Sequence, residues 1–195
     1  MNFTKKHLAP VITASLLALS GQATAQALDY NRVEAGLAMY PGISGHTPIG
    51  IDLRGSFELD EFGAENFFAF GGLQYLTDKL DYTLFHVGGG YQHAVNQQTS
   101  LWGGVTIEYT KVEYSNWWGK WDASDTSLGL RGGVRHQIQP DLELGGSLRL
   151  ITGDLDYVGI TGSVRYDLQP QFYLLGEIDL FDGDLGFIGG IGMHF

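Results

Sequence analysis

In several segments of this 195-residue sequence, arginine and carboxylate side chains fall on the same set of alternate positions. In "IGIDLRGSFEL" the polar positions include Asp52, Arg54 and Glu58, and apolar residues lie between them. Guanidinium and carboxylate groups bind each other through two parallel hydrogen bonds. Such residues on one face predict either a charge-paired interior or a narrow polar passage. The set consists of Arg32, Glu34, Asp52, Arg54, Glu58, Glu108, Arg131, Arg135, Glu143, Arg149, Arg165, Asp167, Glu177 and Asp179.

A second candidate site involves a histidine. The spacing across the turn "VNQQT" predicts that His86 and Glu108 face each other on neighbouring strands, with the hydroxyl groups of Thr106 and Ser127 nearby. A hydroxyl, an imidazole and a carboxylate in contact would form a candidate nucleophile arrangement. The alternative is an interior histidine held by hydrogen bonds, and any polar interior yields such combinations. We therefore predict no catalytic residues.

The connections between segments are acidic. Oxygen ligands on loops suit Ca²⁺ or Mg²⁺, but the sequence contains no twelve-residue calcium-loop pattern. We predict a solvated acidic surface, with no metal site and no cofactor. The acidic residues concerned are Asp78, Asp81, Glu113, Asp122, Asp125, Asp154, Asp156, Asp182 and Asp184.

Three tryptophans crowd the stretch "NWWGKW": Trp117, Trp118 and Trp121. Exposed aromatic clusters are typical contact points for ligands and partners. Tryptophan also anchors proteins at membrane interfaces. Both interpretations place these side chains at the surface, and they are the candidate contact residues for an extracellular ligand.

The segments that carry the charged residues alternate between apolar and polar side chains, which is the period of a β-strand. We predict ten strands, and eight is the alternative count because Phe68 and Phe70 interrupt the polar face of one segment. The connections after even-numbered strands are compact, and the longest odd-numbered connection is "EYSNWWGKWDASD". The predicted strand ranges are 30–40, 48–59, 66–77, 82–94, 100–112, 124–138, 141–151, 156–167, 171–181 and 185–195.

The strand face opposite the arginines carries almost no charge. A soluble β-sandwich would scatter lysine along an outward polar face, whereas Lys79, Lys111 and Lys120 lie at or near odd-numbered connections. An apolar outer face is tolerated in lipid, where closure of the sheet also pairs every backbone edge. Aromatic residues near both strand ends match the two girdles of membrane barrels. The predicted fold class is all-β, a closed antiparallel up-and-down transmembrane β-barrel.

The first 25 residues have the form of a secretory signal. Lys5 and Lys6 precede the short apolar stretch "LAPVITASLLALS", and "ATA" is a small-residue cleavage site. We expect residues 1–25 to be removed and residues 26–195 to form one barrel domain. The absence of cysteine excludes a disulfide scaffold. The formal net charge of −11 argues against a nucleic-acid partner.

The sequence ends "GFIGGIGMHF", in which Phe187, Ile191, Met193 and Phe195 alternate with small or polar residues. Together with the signal sequence and the alternating strands, this ending resembles the small outer-membrane β-barrel proteins of Gram-negative bacteria. The nearest are the porin-like barrels, the transmembrane domain of outer-membrane protein A and the Ail/Lom-type surface proteins. The resemblance implies export through the periplasm, recognition of the last strand by the barrel-assembly machinery, and a monomer in contact with outer-membrane lipid and lipopolysaccharide.

Enzymatic barrels make a poorer match. The omptin proteases carry Asp pairs and an Asp–His pair on their rim, but this sequence has no Asp-x-His on any predicted loop-end strand. Lipid A deacylase barrels carry a His-x-Ser-Asn type motif, which is also absent. We therefore expect a non-enzymatic outer-membrane protein with a structural or surface-interaction role and a largely filled lumen. A narrow passive pore for small solutes or ions is the first alternative, and a lipid- or peptide-modifying enzyme is the second.

Overall fold

The computed structural model describes residues 28–116, 119–154 and 156–195, which form a closed barrel of ten antiparallel strands. Each strand pairs with its neighbours in sequence, and the first strand pairs with the last to close the barrel. The strands are β1 (Arg32–Met39), β2 (Ile49–Glu58), β3 (Phe67–Thr77), β4 (Leu80–Asn96), β5 (Thr99–Asn116), β6 (Gly119–Gln139), β7 (Leu142–Thr152), β8 (Tyr157–Gln169), β9 (Phe172–Phe181) and β10 (Asp184–His194).

The all-β barrel and its count of ten strands are confirmed, and the alternative count of eight is wrong. The doubtful segment 66–77 is β3, which pairs with β2 and β4 along its length. Phe68 and Phe70 interrupted its polar face because they point into the lumen, where they stack on each other with ring centroids 5.5 Å apart. Two short 3₁₀ helices, Ile43–Gly45 and Asp60–Phe62, lie in the connections on either side of β2.

The period of two sends alternate residues to the lumen and to the outside. In β1, Glu34 and Ala38 are 7% and 0% exposed, whereas Val33 and Leu37 are 44% and 66% exposed. The same pattern in the other strands leaves an apolar outer surface. Outward aromatic residues lie near both strand ends, as membrane girdles require: Phe57, Tyr91, Tyr166, Phe172 and Phe195 at one end, and Tyr75, Phe85, Tyr109 and Phe187 towards the other.

The two ends of the barrel hold different sets of connections. We call the end that holds residues 28–31, Phe195 and the connections after even-numbered strands the terminal end. The opposite end, with the connections after odd-numbered strands, is the loop end. Three β-bulges, in the β4–β5, β6–β7 and β8–β9 pairings, lie beside turns of the terminal end.

The prediction of a long loop at "EYSNWWGKWDASD" is wrong. Strands β5 and β6 continue through it and pair as far as Asn116 and Gly119, so only residues 117–118 connect them. Because β6 pairs with β7 only from Leu128 onwards, the end of this hairpin projects beyond the rest of the barrel. Its polar residues concealed the strand because they lie beyond the apolar band. Among the described connections the longest is 40–48, between β1 and β2.

Residues 1–25, the expected signal peptide, lie outside the described residues. In the part of the chain that the structure describes, no helix is long and apolar enough to cross a membrane.

Candidate functional site

Six arginines point into the lumen, one or two from each of β1, β2, β6, β7 and β8. Each lies within 4.0 Å of a carboxylate, and most of these contacts join different strands. The barrel interior is therefore a network of ion pairs rather than an open aqueous channel. The carboxylates in the network are Glu34, Asp52, Glu108, Glu143, Glu177 and Asp179.

In the terminal half of the lumen, Arg165 joins several carboxylates. Its Nε donates to Glu34 Oε1 at 2.9 Å, and its Nη1 donates to Glu143 Oε1 at 3.3 Å. Glu143 in turn accepts two hydrogen bonds from Arg135, at 2.9 and 2.7 Å. The hydroxyl of Tyr173 also donates to Glu34, at 2.8 Å. Strands β1, β6, β7, β8 and β9 are tied across the barrel by these bonds.

Midway along the lumen, three arginines and a glutamate form a wall. Arg54 Nη1 lies 2.9 Å from Glu177 Oε2 across the barrel. Arg131 donates two hydrogen bonds, both at 2.9 Å, to Glu108. Arg149 Nη2 donates to Asp179 at 2.6 Å. The four residues Arg54, Arg131, Arg149 and Glu177 line cavities on both sides of this wall.

The terminal end of the lumen is closed by Tyr30, in the segment that precedes β1. Tyr30 is 2% exposed, its ring centroid is 4.3 Å from that of Phe68, and the guanidinium carbon of Arg135 lies 4.4 Å from the same ring. Its backbone is fixed as well, because its carbonyl accepts from Ser56 at 2.6 Å and its N–H donates to Glu58 at 3.1 Å. The predicted first strand, 30–40, thus begins two residues later than expected, and Tyr30 enters the lumen instead.

The loop end is closed by Tyr40, the residue that follows β1. Tyr40 is also 2% exposed and packs in an apolar cluster with Ala38, Ile43, Leu76 and Ile188. Its hydroxyl donates to Asp179 at 2.8 Å and accepts from the amide of Gln74 at 3.3 Å. Gly186 is required here, because a Cβ at this position would overlap the Tyr40 ring.

Two small cavities remain between these caps. The cavity on the terminal side has a volume of about 140 Å³, and the cavity on the loop side has a volume of about 60 Å³. All six lumen arginines line the larger cavity, together with Glu34 and Glu177. A cavity of this size holds a few water molecules or one small ion.

His86 and Glu108 are directly opposite each other on β4 and β5, as the turn spacing predicts. The carboxylate of Glu108, however, is bound by Arg131 and by the hydroxyl of Thr106, which donates at 2.5 Å. Ser127 donates to Asp125 on its own strand at 2.7 Å. Because the carboxylate and hydroxyl groups have these other partners, they do not form a nucleophile arrangement with His86.

Two predicted members of the charge set lie outside the arginine network. The carboxylate of Glu58 accepts from the Tyr30 N–H and from Gln92 Nε2, both at 3.1 Å. Asp167, near the terminal end, lies 3.9 Å from His194 Nε2. Both residues face the mouth of the lumen, where carboxylates without an arginine partner are reached by water.

The acidic residues at the loop end act in part as local hydrogen-bond acceptors. Asp78 accepts from the Thr47 N–H at 3.2 Å, Asp81 accepts from Thr77 at 2.6 Å, and Asp125 accepts from the Asp154 N–H at 2.8 Å. Within the described ranges no group of three or more histidine or acidic residues is placed to hold a metal ion.

One of the three candidate contact tryptophans, Trp121, lies near the projecting end of the β5–β6 hairpin. Trp121 is 58% exposed and pairs with Tyr114 across the hairpin, while Trp117 and Trp118 lie outside the described residues. The C-terminal residues Phe187, Ile191 and Phe195 face outwards with 40%, 59% and 64% exposure. Met193 has the same outward register on β10.

The two tyrosine caps were not predicted from the sequence. Tyr30 and Tyr40 carried a usable signal, because each has the parity of the lumen face and lies at an end of β1. A bulky ring at the end of an inward face covers the mouth of a narrow barrel. Tyr173, which donates to Glu34, was not singled out from the sequence either, although it has lumen-face parity on β9.

No family model matches the chain, and no curated protein matches it. Among solved structures, the chain is similar to the KdgM porin in complex with disordered oligogalacturonate, with 12% identity, a TM-score of 0.50, and coverage of 84% of this chain and 99% of that chain. The attachment invasion locus protein Ail of Yersinia pestis shares 16% identity, with a TM-score of 0.48 and coverage of 86% and 100%. At this identity the likeness to the KdgM porin shows the fold alone, a closed antiparallel β-barrel.

Proposed function

We propose that this chain is an outer-membrane barrel with a closed, ion-paired lumen and a structural or surface-interaction role. The observation that carries the proposal is the wall of Arg54, Arg131, Arg149 and Glu177 between two separate cavities. The buried caps Tyr30 and Tyr40 add a second barrier at each end. A solute crossing the barrel would have to break buried ion pairs, which costs several kcal/mol for each partner left uncompensated.

Residues 1–25 would direct export to the periplasm, and the terminal end would face the periplasm after insertion. The outward residues Phe187, Ile191, Met193 and Phe195 on and after β10 would be read by the barrel-assembly machinery. The apolar outer surface would contact outer-membrane lipid and lipopolysaccharide as a monomer, and the projecting β5–β6 hairpin with Trp121 would meet any extracellular ligand. The proposed role is non-enzymatic, and it is supported by the contacts of Glu108, whose carboxylate is bound by Arg131 and Thr106 and forms no nucleophile arrangement with His86.

Conductance in planar bilayers tests the closed lumen. We expect the refolded chain to give no steady openings. The double variant Arg54→Ser/Glu177→Ser removes one ion pair from the wall and should give measurable openings. The matched control Lys111→Ser/Glu113→Ser removes an exposed pair at 2.9 Å outside the lumen and should stay silent. Steady openings of the unmodified protein would overturn the proposal in favour of the narrow pore.

A charge on the outer face tests the membrane placement. Ile191→Arg should lower the free energy of unfolding from lipid vesicles by about 2–4 kcal/mol, because this side chain faces the apolar core of the bilayer. Asp122→Arg is the matched control, since Asp122 is exposed but lies on the projecting hairpin. Its unfolding free energy should stay within about 0.5 kcal/mol of the unmodified protein. Equal losses in both variants would contradict an outer face buried in lipid.

A further inference from the structure

We propose that the 140 Å³ cavity in the terminal half of the lumen is a binding site for one small oxyanion of the size of phosphate or sulfate. The proposal goes beyond the closed lumen, because a sealed barrel needs no ligand. The cavity is lined by all six lumen arginines but by only two carboxylates, Glu34 and Glu177. Guanidinium groups recognise oxyanions through paired, charge-assisted hydrogen bonds.

The two carboxylates of the cavity are already bound. Glu34 Oε1 accepts from Arg165 and from the hydroxyl of Tyr173, at 2.9 and 2.8 Å. Glu177 Oε1 accepts from Arg54 Nη1 at 3.2 Å, and Glu177 Oε2 lies 2.9 Å from the same nitrogen without a hydrogen bond among the described residues. These contacts compensate the negative charges that would otherwise repel an anion.

Arg32 is the cation with the weakest compensation. Among the described residues its ionic contact is Glu34, at 3.9 Å, and that carboxylate is shared with Arg165 at 2.9 Å and Arg54 at 3.6 Å. The Nη1 atom of Arg32 is buried and has no hydrogen-bond partner within the described part of the chain. A buried guanidinium of this kind is stabilised by an additional negative charge.

Further donors at the cavity are also without partners. The hydroxyl of Tyr30 has none among the described residues, although Tyr30 is 98% buried, its exposure being 2%. Arg54 Nη2 and Arg149 Nε are buried and unpartnered in the same part of the structure. Buried polar groups are nearly always hydrogen-bonded in native proteins. Around this cavity the unpartnered donors outnumber the one unpartnered acceptor, Glu177 Oε2, in the described structure, so the excess of donors indicates an occupant that accepts hydrogen bonds.

The size of the cavity fits a small inorganic anion. Liquid water occupies about 30 Å³ per molecule, so the cavity has room for about four or five water-sized groups. Inorganic phosphate and sulfate, each with one central atom and four oxygens, are of this size. The occupant is therefore a small tetrahedral oxyanion, held by Arg32 and Tyr30 from the terminal side.

Equilibrium dialysis of the full chain, refolded in detergent micelles, against radiolabelled inorganic phosphate tests the site. We expect saturable binding of about one phosphate per barrel, since a single cavity has the required size. Addition of phosphate should also shift the indole N–H signal of Trp102, which lines the same cavity. Arg32→Gln and Tyr30→Phe should each weaken binding at least about tenfold, the effect of losing one charge-assisted hydrogen bond.

Two further variants separate a lost site from a lost fold. Ser147→Val leaves every arginine and the Tyr30 hydroxyl in place but replaces the Ser147 hydroxyl with bulk that fills part of the cavity, and it should abolish binding in a barrel that still folds. Lys111→Gln removes an exposed cation outside the lumen and should bind phosphate normally. Binding that survives Arg32→Gln, Tyr30→Phe and Ser147→Val, or no saturable binding at all, would show that the cavity holds only water. Either result would leave the conductance test of the closed lumen unaffected.

Discussion

The two ends of the lumen are closed by the same residue type in opposite ways. Tyr30 and Tyr40 flank β1, and both are 2% exposed. The Tyr40 hydroxyl has two partners, Asp179 and Gln74, whereas the Tyr30 hydroxyl has none within the described residues. The loop end is therefore a completed hydrogen-bond network, and the terminal end is a cap of stacked rings with a donor left over.

The charged groups next to the two caps also differ in how completely they are paired. Asp179, behind Tyr40, accepts from Arg149, Thr161 and Tyr40 at 2.6, 2.7 and 2.8 Å. Arg32, behind Tyr30, has one ionic contact at 3.9 Å in the described structure. Satisfied networks rigidify an interior, and a buried polar group without a partner in the protein needs an explanation such as a bound water or ion. Both ends are therefore closed, but only the loop-end cap is completed by hydrogen bonds within the described residues.

The largest expected loss of stability comes from removing Arg149, which binds the carboxylate next to Tyr40. Removal of Arg32, next to Tyr30, is the comparison. Arg149→Met should lower the unfolding free energy by about 3–5 kcal/mol, because Asp179 is 1% exposed and would keep an uncompensated charge. Arg32→Met should cost less than about 1 kcal/mol, because Glu34 keeps Arg165 and Tyr173. Urea unfolding of the barrel from lipid vesicles measures both. Equal costs would remove the distinction between the two ends.

The strand faces could be predicted from the sequence, and the caps could not. The alternation of apolar and polar residues predicts that Glu34 and Arg165 face the lumen, because a strand register shifted by one residue would place both charges in lipid. Which carboxylate each arginine binds depends on barrel closure and stagger, so the contact of Arg165 with Glu34, 131 positions apart, was not predictable from spacing. Tyr30 was assigned to a strand because periodicity does not show where a chain turns into the lumen.

The projecting hairpin illustrates the opposite failure. Residues 113–125 were expected to form a loop because they are polar and include Gly119. Outside the apolar band, strand residues need no apolar face, so the signal that identified the other strands disappears there. The cross-strand pairs Tyr114–Trp121 and Glu113–Asp122 place aromatic rings on one face and charges on the other, a pattern that becomes visible only once the register is known.

An intermediate loss of stability is expected when the hydroxyl of the loop-end cap, Tyr40, is removed. Tyr40→Phe should lower the unfolding free energy by about 1.5–3 kcal/mol, because it removes a hydrogen bond to the buried carboxylate of Asp179 and leaves Gln74 with one acceptor fewer. The ring and its apolar contacts remain, so the loss belongs to the hydroxyl. Phe181→Leu is the control for the packing around the cap, since Phe181 touches the Tyr40 ring at a centroid distance of 6.3 Å without a polar group. A Tyr40→Phe variant as stable as the unmodified protein would mean that the network does not stabilise this end.

The smallest change in stability is expected when the hydroxyl of the terminal-end cap, Tyr30, is removed. Tyr30→Phe keeps the stacking on Phe68 and the contact with Arg135. It removes only a buried hydroxyl that has no partner in the described structure. In phosphate-free buffer the unfolding free energy should therefore change by less than about 0.5 kcal/mol, and removal of an unsatisfied buried group can raise it. A loss as large as that of Tyr40→Phe would show that the Tyr30 hydroxyl is bonded in the folded barrel, and the two caps would then be equivalent.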